Sequence, residues 1–187
     1  MTFRENGKFK VGIAGVGGIG SSVAHVLVRS GITHLTLVDF DRVEASNLNR
    51  QFYFHDQIGM DKAQMLARNL KRINPGLSVD MACEQLDAHN IKPRFHGCDI
   101  IVEGVDDKKT KKQVVEAFAG TSTPVICASG IAGEDLTGIG IKSMGNITIV
   151  GDFITDEEDN LLFPPKVHMV ACLMAGEILK RSNKAHV

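Results

Sequence analysis

Residues 10–20 of this chain read KVGIAGVGGIG, an apolar run that leads directly into a glycine-rich turn. The run Lys10–Ala14 predicts a short buried strand. Gly15–Gly20 fits the G-x-G-x-x-G pattern that joins a strand to a helix in nucleotide-binding βαβ units. A helix is predicted at Ser21–Arg29 and a second strand at Leu35–Val38. The order strand, glycine turn, helix and strand therefore predicts a nucleotide-binding α/β fold.

Each part of this unit has a physical reason to face a nucleotide. The glycines permit a tight turn, let the backbone approach a phosphate and let the helix pack closely on the strand. The helix N-terminus offers free N–H groups and the positive end of its dipole. Asp39 follows the second strand and is expected to accept hydrogen bonds from ribose hydroxyls. The glycines expected at the nucleotide are Gly15, Gly17, Gly18 and Gly20. A glycine-rich turn that binds no ligand is the alternative.

The bulk composition is that of an ordinary globular protein. The 187 residues carry a formal net charge of −1, and this length suits one α/β domain spanning residues 1–187. The balanced charge gives no electrostatic reason to expect nucleic acid or an anionic membrane as a partner. No apolar run approaches the ~18 residues of a membrane span, and the first residues lack the apolar core of a signal peptide. The cytoplasm is the expected location.

Beyond residue 58, helical and strand patterns alternate, which predicts a parallel, doubly wound sheet. The predicted elements are helices at Gly59–Ile73, Ala88–Phe95 and Lys111–Ala119, and strands at Leu77–Ala82, Asp99–Glu103 and Pro124–Ala128. The pattern then changes. Leu136–Ser143 and Ile147–Val150 are strands joined through a Gly-Asn turn, which predicts an antiparallel hairpin at the sheet edge. Pro164 and Pro165 open a last helix, whose apolar stripe is expected to be core.

Three charged residues bear on which nucleotide binds. Arg50 lies in a long polar segment, Lys62 is near the start of a helix, and Asp106 follows the fourth strand. Ligands of open α/β sheets bind beyond the carboxyl ends of the strands, where these residues can converge. ATP carries about four negative charges, and its transfer chemistry requires cations and a carboxylate-held magnesium ion. The pyrophosphate of NAD is satisfied mainly by a helix N-terminus. Each residue alone is explained as well by a surface ion pair, but together they favour ATP.

Several short motifs occur along residues 9–130 in one order: Gly15–Gly20, Asp39–Asp41, Ser46–Gln51, Gly59–Ala63, Ile73–Pro75 and Asp106–Asp107. In this order they resemble the ThiF, MoeB and HesA family, which includes the ubiquitin-activating enzymes. The S-N-L-x-R-Q run at residues 46–51 is the most specific of them. The G-N-I and G-D motifs near residue 150 and the later P-P-K-V are most similar to a group of short ThiF-like proteins.

The resemblance implies a site for ATP and magnesium. It places the phosphate turn at Gly15–Gly20 and the ribose on Asp39. It makes Arg50, Lys62 and Asp106 the catalytic residues, Asp106 by holding the magnesium ion. The remaining residues implied in the nucleotide site are Asp41, Asn49 and Gln51.

The implied reaction is adenylation of a carboxylate. The C-terminal carboxylate of a small β-grasp sulfur-carrier protein of the ThiS or MoaD type, ending in Gly-Gly, attacks the α-phosphorus of ATP and yields an acyl-adenylate and pyrophosphate. Thiamine biosynthesis or a related sulfur-transfer pathway is the expected setting. A C-terminal carboxylate has a pKa near 3.5 and is already ionised at neutral pH, so no general base is required. The resemblance also implies a homodimer, with Arg4 as the candidate arginine that reaches the partner's ATP.

The chain departs from the family in its cysteines. The family's two C-x-x-C pairs are absent, because Cys83, Cys98, Cys127 and Cys172 are widely separated. No zinc site is therefore expected, and simple adenylation is favoured over covalent sulfur chemistry. Two other functions stay open: an NAD-dependent oxidoreductase, although no separate substrate domain is evident, and a nucleotide-binding module without catalytic activity.

Overall fold

The computed structural model describes residues 9–155 and 160–184. In these residues helices cover both faces of a seven-stranded sheet. The strands are β1 (Lys10–Ala14), β2 (His34–Val38), β3 (Ser78–Ala82), β4 (Ile100–Glu103), β5 (Val125–Ala128), β6 (Gly140–Met144) and β7 (Ile147–Gly151). The helices are α1 (Gly18–Arg29), α2 (Lys62–Ile73), α3 (Ile91–Arg94), α4 (Lys108–Phe118) and α5 (Pro164–Lys184).

The sheet has the order β3-β2-β1-β4-β5-β7-β6. The first six strands in this order run parallel, and only β6 is antiparallel, to β7 at the edge. The chain moves outward from β1 through β2 to β3, then returns to the other side of β1 with β4. The carboxyl ends of β1 and β4 therefore form the topological switch point where open sheets bind ligands. The predicted doubly wound sheet with an edge hairpin is confirmed.

The apolar core lies on both faces of the sheet. On one face α1, α2 and α5 contribute Leu27, Leu66 and Met174 to one cluster. On the other, α3 and α4 contribute Ile91 and Val114 to a second cluster. Residues 100–102 of β4 are all apolar, because neighbouring residues of a strand point to opposite faces and both faces of this sheet are covered.

Helix boundaries differ from the predicted ones for local reasons. Helix α4 begins three residues earlier than predicted, because the Asp107 carboxylate caps it by accepting hydrogen bonds from the Thr110 N–H and Oγ1, both at 2.7 Å. Helix α2 begins at Lys62 rather than Gly59, because Gly59 has a left-handed φ of 84°. Helix α3 is shorter than predicted, because the Asp87 Oδ1 accepts hydrogen bonds from the N–H groups of His89 and Asn90 in a turn.

The predicted strand at residues 136–143 is wrong in its first half. The Thr137 N–H donates to Asp135 Oδ1 at 2.8 Å, and Gly138 has a φ of 74°, so the chain turns there and β6 begins only at Gly140. The hairpin turn itself lies where predicted, with Gly145 in the left-handed region at a φ of 59°. A side chain oxygen that binds the backbone two residues on competes with a strand, and this explains the late start.

The apolar stripe of α5 is core, as expected. Val170, Met174 and Ile178 are fully buried and pack in the cluster that includes α1. In the described residues, none of the helices has the length and apolar character needed to cross a membrane.

Candidate active site

A cleft of about 760 Å³ opens at the carboxyl ends of the central strands. This volume lies within the roughly 300–1,000 Å³ typical of small-molecule sites. The glycine turn after β1 forms its floor and the segment after β2 forms one wall. The segment after β4 faces that wall, and the loops after β5 and β7 close the far side.

The glycine turn presents backbone to this cleft. Gly15, Gly17 and Gly18 line it, and α1 has Gly17 as its N-cap with no side-chain cap and no acidic residue in its first turn. The first N–H groups of a helix lack partners within the helix. Backbone donors and the positive dipole end of α1 are therefore available to an anion.

Gly20 serves the turn and does not line the cleft. A Cβ atom on Gly20 would lie 1.9 Å from the Gly15 carbonyl oxygen, so only glycine lets α1 cross the turn at this distance. Gly20 supports the turn from behind, and its place in the nucleotide site stays a prediction. Gly15 has a φ of 79° and lies against Gly104, since a Cβ on Gly15 would be 2.8 Å from the Gly104 carbonyl oxygen.

Asp39 links the glycine turn to the segment after β2. Its Oδ2 accepts a hydrogen bond from the Val16 N–H at 2.7 Å, and its Oδ1 accepts one from the Asp41 N–H at 2.8 Å. Burial raises the pKa of Asp39, while these two N–H groups and Lys62 lower it in part. Each carboxylate oxygen can accept a second hydrogen bond, and Asp39 lines the cleft, so it can also accept from a ligand hydroxyl.

A residue outside the predicted site supports the same turn. The Tyr53 hydroxyl donates to the Val16 carbonyl oxygen at 2.7 Å, and its ring is 6% exposed. Burial raises the pKa of this phenol, which keeps it a donor. The contact ties the polar segment carrying Arg50 to the glycine turn. Tyr53 stands between Phe52 and Phe54, and such an aromatic run indicates burial but not this hydrogen bond.

The two predicted cations both line the cleft. Lys62 is buried at the start of α2, and its Nζ lies 2.8 Å from Asp41 Oδ2. Asp41 thus orients the ammonium group, which has further donors. The Arg50 guanidinium is held through Nη1, which donates to the Ser46 carbonyl oxygen at 3.0 Å and to Asn49 Oδ1 at 2.8 Å.

Of the two residues that flank Arg50 in the sequence, one lines the cleft and the other does not. Gln51 lines the cleft, and its Oε1 is buried without a hydrogen-bond partner. Such an orphaned amide group is costly unless a ligand or water satisfies it. Asn49 is exposed, is not among the residues that line the cleft, and accepts a hydrogen bond from Arg50; its place in the nucleotide site stays a prediction. It occupies the variable position of the S-N-L-x-R-Q motif.

Asp106 is exposed at the rim of the cleft, in the segment that follows β4. Below it, the buried Glu103 carboxylate lies 2.7 Å from the Nζ of Lys111, which also lines the cleft. Burial raises the pKa of Glu103, and Lys111 opposes this shift. Sequence reasoning missed Lys111, because four lysines within five residues at the start of a helix are more typical of a solvated surface.

The far side of the cleft is fixed by a second buried ion pair. Lys166 is fully buried, and its Nζ donates to Asp152 Oδ2 and to the Ala132 carbonyl oxygen, both at 2.7 Å. Burial would raise the pKa of Asp152, but Lys166 and nearby N–H groups hold it well below its usual value. The next residue, Val167, packs beside Gly18. The far wall is thereby attached to the phosphate turn.

The two buried cysteines, Cys98 and Cys127, offer little to covalent chemistry, whereas Cys83 and Cys172 are exposed. Burial, followed by the nearby Glu103 charge, raises the pKa of Cys127 to about 12, and burial also raises that of Cys98. Thiols in such surroundings are poor nucleophiles. No group of three or more His, Cys, Asp or Glu side chains in residues 9–155 and 160–184 is arranged to hold a metal ion. The expected lack of zinc stays a prediction, and Arg4 lies outside the described residues.

The sequence model of the ThiF family matches residues 4–186. The chain belongs to the ThiF family. The resemblance inferred from the motifs is thus confirmed over nearly the full length.

Individual members of the ThiF family have only modest sequence identity to this chain. The tRNA threonylcarbamoyladenosine dehydratase of Escherichia coli (strain K12) is 28% identical over 124 residues, covering 65% of this chain and 46% of that protein. The adenylyltransferase and sulfurtransferase MOCS3 of Caenorhabditis briggsae is 33% identical over 120 residues, covering 64% of this chain and 30% of MOCS3. This chain therefore spans less than half the length of either relative.

A solved structure matches the fold over most of its length. The crystal structure of the E. coli dehydratase in complex with AMP superposes with a TM-score of 0.84, covering 95% of this chain and 87% of that one. The sequences are 20% identical, so this similarity supports the ThiF-type fold alone.

Proposed function

We propose that this ThiF-family chain is an ATP-dependent adenylyltransferase. One observation carries the proposal: two cations, an exposed carboxylate and an uncapped helix N-terminus converge on one cleft. The cations are Arg50 and Lys62, and the carboxylate is Asp106. A triphosphate needs this much positive charge, whereas the pyrophosphate of a dinucleotide is served largely by the helix N-terminus. Two relatives point the same way, since MOCS3 is named an adenylyltransferase and the dehydratase binds AMP.

The residues present fit ATP and one magnesium ion. The orphaned amide of Gln51 and the open backbone at Gly17 lie where a polar ligand would satisfy them. Magnesium usually takes one or two carboxylates together with substrate phosphates and waters, so Asp106 alone is a sufficient protein ligand. When bound, the ion would neutralise charge on the pyrophosphate as it leaves.

The chemistry then follows from positioning and charge. Asp39 holds the ribose and α1 receives the phosphates. The ionised carboxylate of the acceptor forms a bond from its oxygen to the α-phosphorus of ATP. The bond from that phosphorus to the bridging oxygen of the β-phosphate breaks, and pyrophosphate leaves with both electrons of the bond. Arg50 and Lys62 stabilise the negative charge that develops. No proton has to be removed, since the attacking carboxylate is already ionised.

The acceptor we propose is a small β-grasp sulfur-carrier protein with a Gly-Gly C-terminus, in thiamine biosynthesis or a related cytoplasmic sulfur-transfer pathway. MOCS3 is named a sulfurtransferase as well as an adenylyltransferase, which supports this class of partner. The competing functions are an NAD-dependent oxidoreductase and a nucleotide-binding module without activity.

Titration calorimetry distinguishes ATP from NAD as the nucleotide that this cleft binds. We expect ATP with Mg²⁺ to bind at micromolar concentration and NAD to bind at least about tenfold more weakly. NAD has fewer phosphates and would leave Arg50 or Lys62 without an anionic partner. Arg50→Ala serves as a variant that should weaken ATP and leave the weak binding of NAD unchanged. Tight binding of NAD without binding of ATP would overturn the proposed function.

A homodimer is the assembly we propose, with Arg4 acting at the partner's site. Light scattering at micromolar concentration is expected to give twice the mass of the chain. When subunits carrying Arg4→Ala and Arg50→Ala are mixed and exchange, one of the two sites in a mixed dimer regains both arginines, so pyrophosphate release should partly return. A failure to complement between variants shown to exchange would exclude Arg4, and a monomer would exclude the dimer.

A further inference from the structure

Glu103 is a buried carboxylate that the proposed chemistry does not use. It is the last residue of β4 and is fully buried. Its Oε1 accepts a hydrogen bond from the Val105 N–H at 2.8 Å, and its Oε2 lies 2.7 Å from Lys111 Nζ. Burying a charge is unfavourable unless it is paired and hydrogen-bonded, and here both oxygens have partners. Such a group holds its neighbours in one arrangement.

Lys111 extends this arrangement across three elements. It stands in the first turns of α4, and its Nζ also approaches the Ala128 carbonyl oxygen at the end of β5, at 3.4 Å. The pair therefore connects the ends of β4 and β5 with α4, directly below the cleft.

The segment that carries Asp106 is held at both of its ends. Before it, the Gly104 N–H donates to the Ala14 carbonyl oxygen at 2.8 Å, and the Val105 N–H donates to Glu103. After it, Asp107 caps α4. Asp106 lies between these two attachments, and its position depends on both.

We propose that Glu103 and Lys111 are a positioning pair for Asp106, setting the place of its carboxylate at the phosphates of bound ATP. The inference rests on the proposed function, because it assumes that Asp106 holds the magnesium ion there. The pair itself touches neither the ion nor the nucleotide. Its loss should lower the gain in ATP affinity that Mg²⁺ provides and leave the affinity for metal-free ATP unchanged.

The test variant is Glu103→Leu/Lys111→Met, which removes the whole pair without changing net charge. Replacing a buried ion pair by apolar residues of similar volume is often neutral for stability, whereas Lys111→Met alone would strand a buried carboxylate. ATP is titrated by calorimetry once with Mg²⁺ and once with EDTA. We expect the ratio of the two affinities to fall about tenfold in the variant, with the affinity in EDTA within about twofold of wild type.

Three comparisons sharpen this test. Lys111→Arg keeps the pair and should keep the wild-type ratio. Lys112→Met removes the neighbouring exposed lysine, whose Nζ is 3.7 Å from Glu116, and should leave the ratio unchanged. In the background of Asp106→Asn, loss of the pair should cause no further decrease, because the two changes act through one interaction.

If the double variant does not fold, Glu103→Gln takes its place. This change keeps an oxygen for the Val105 N–H but loses the ion pair, so it should show a smaller decrease in the ratio.

Each outcome has a distinct meaning. Wild-type protein that binds no ATP would overturn the proposed function and this inference together. An unchanged Mg²⁺ ratio in protein without the pair would overturn the positioning pair only. An equal loss of affinity in Mg²⁺ and in EDTA would show that Lys111 contacts phosphate directly, which also contradicts the inference.

Discussion

Asp106→Ala is expected to lower the rate of pyrophosphate release roughly 100- to 1,000-fold or more while the protein unfolds at the wild-type temperature. The side chain is exposed at the rim of the cleft, so its removal leaves no cavity in the core. The loss arises because the leaving pyrophosphate would no longer have a metal held by the protein. Release of pyrophosphate with a Gly-Gly carrier protein, alongside thermal unfolding, measures both effects.

The neighbouring carboxylate provides a matched control. Asp107→Asn removes the adjacent negative charge but keeps an oxygen that can cap α4, since asparagine and aspartate are similar N-caps. We expect its rate to stay within a few-fold of wild type. Full activity of Asp106→Ala, or an equal loss in both variants, would contradict the role assigned to Asp106.

Gly20→Ala is expected to destabilise the fold by about 3 kcal/mol, which is roughly 6–12 °C in Tm for a protein of this size. The new Cβ would lie 1.9 Å from the Gly15 carbonyl oxygen, and no side chain can move to relieve a contact with backbone. The gain in helix propensity, about 1 kcal/mol, is too small to offset this. The phosphate turn has to shift, so ATP binding should be lost as well.

A second helical glycine tests whether this effect is local. Gly176 lies inside α5, and a Cβ there would have no atom within 4 Å. Gly176→Ala should therefore stabilise the protein by about 0.5–1 kcal/mol. Thermal denaturation of both variants makes the comparison. A Gly20→Ala protein as stable as Gly176→Ala would show that the turn is not packed as described.

Sequence patterns predicted the fold wherever one signal dominated. The glycine turn after Ala14 and the apolar run of β4 each allow few alternatives, because a nucleotide-binding turn and a strand buried on both faces have distinctive composition. The boundaries depended on single side chains instead. Asp107 lengthens α4 and Asp135 delays β6, and the same residue types occur in many loops without these effects.

The candidate site was predictable in part for similar reasons. Asp39, Lys62 and Asp106 follow strands or begin a helix at one edge of the sheet, so topology alone brings them to the cleft. Asn49 is exposed instead, because spacing in a polar loop does not fix the direction of a side chain. The role of Lys111 depends on Glu103, whose isolated position in a strand pattern gives no indication of a buried partner eight residues later.

The most direct test of the proposed adenylation is pyrophosphate release by the wild-type protein with ATP, Mg²⁺ and a panel of small β-grasp carrier proteins ending in Gly-Gly. We expect release with at least one carrier, none when its terminal glycine is removed, and a large loss in Arg50→Ala. Tight ATP binding without release with any carrier would contradict adenylation of this partner class and support a nucleotide-binding module. Release that persists at the wild-type rate in Arg50→Ala would contradict the assigned site.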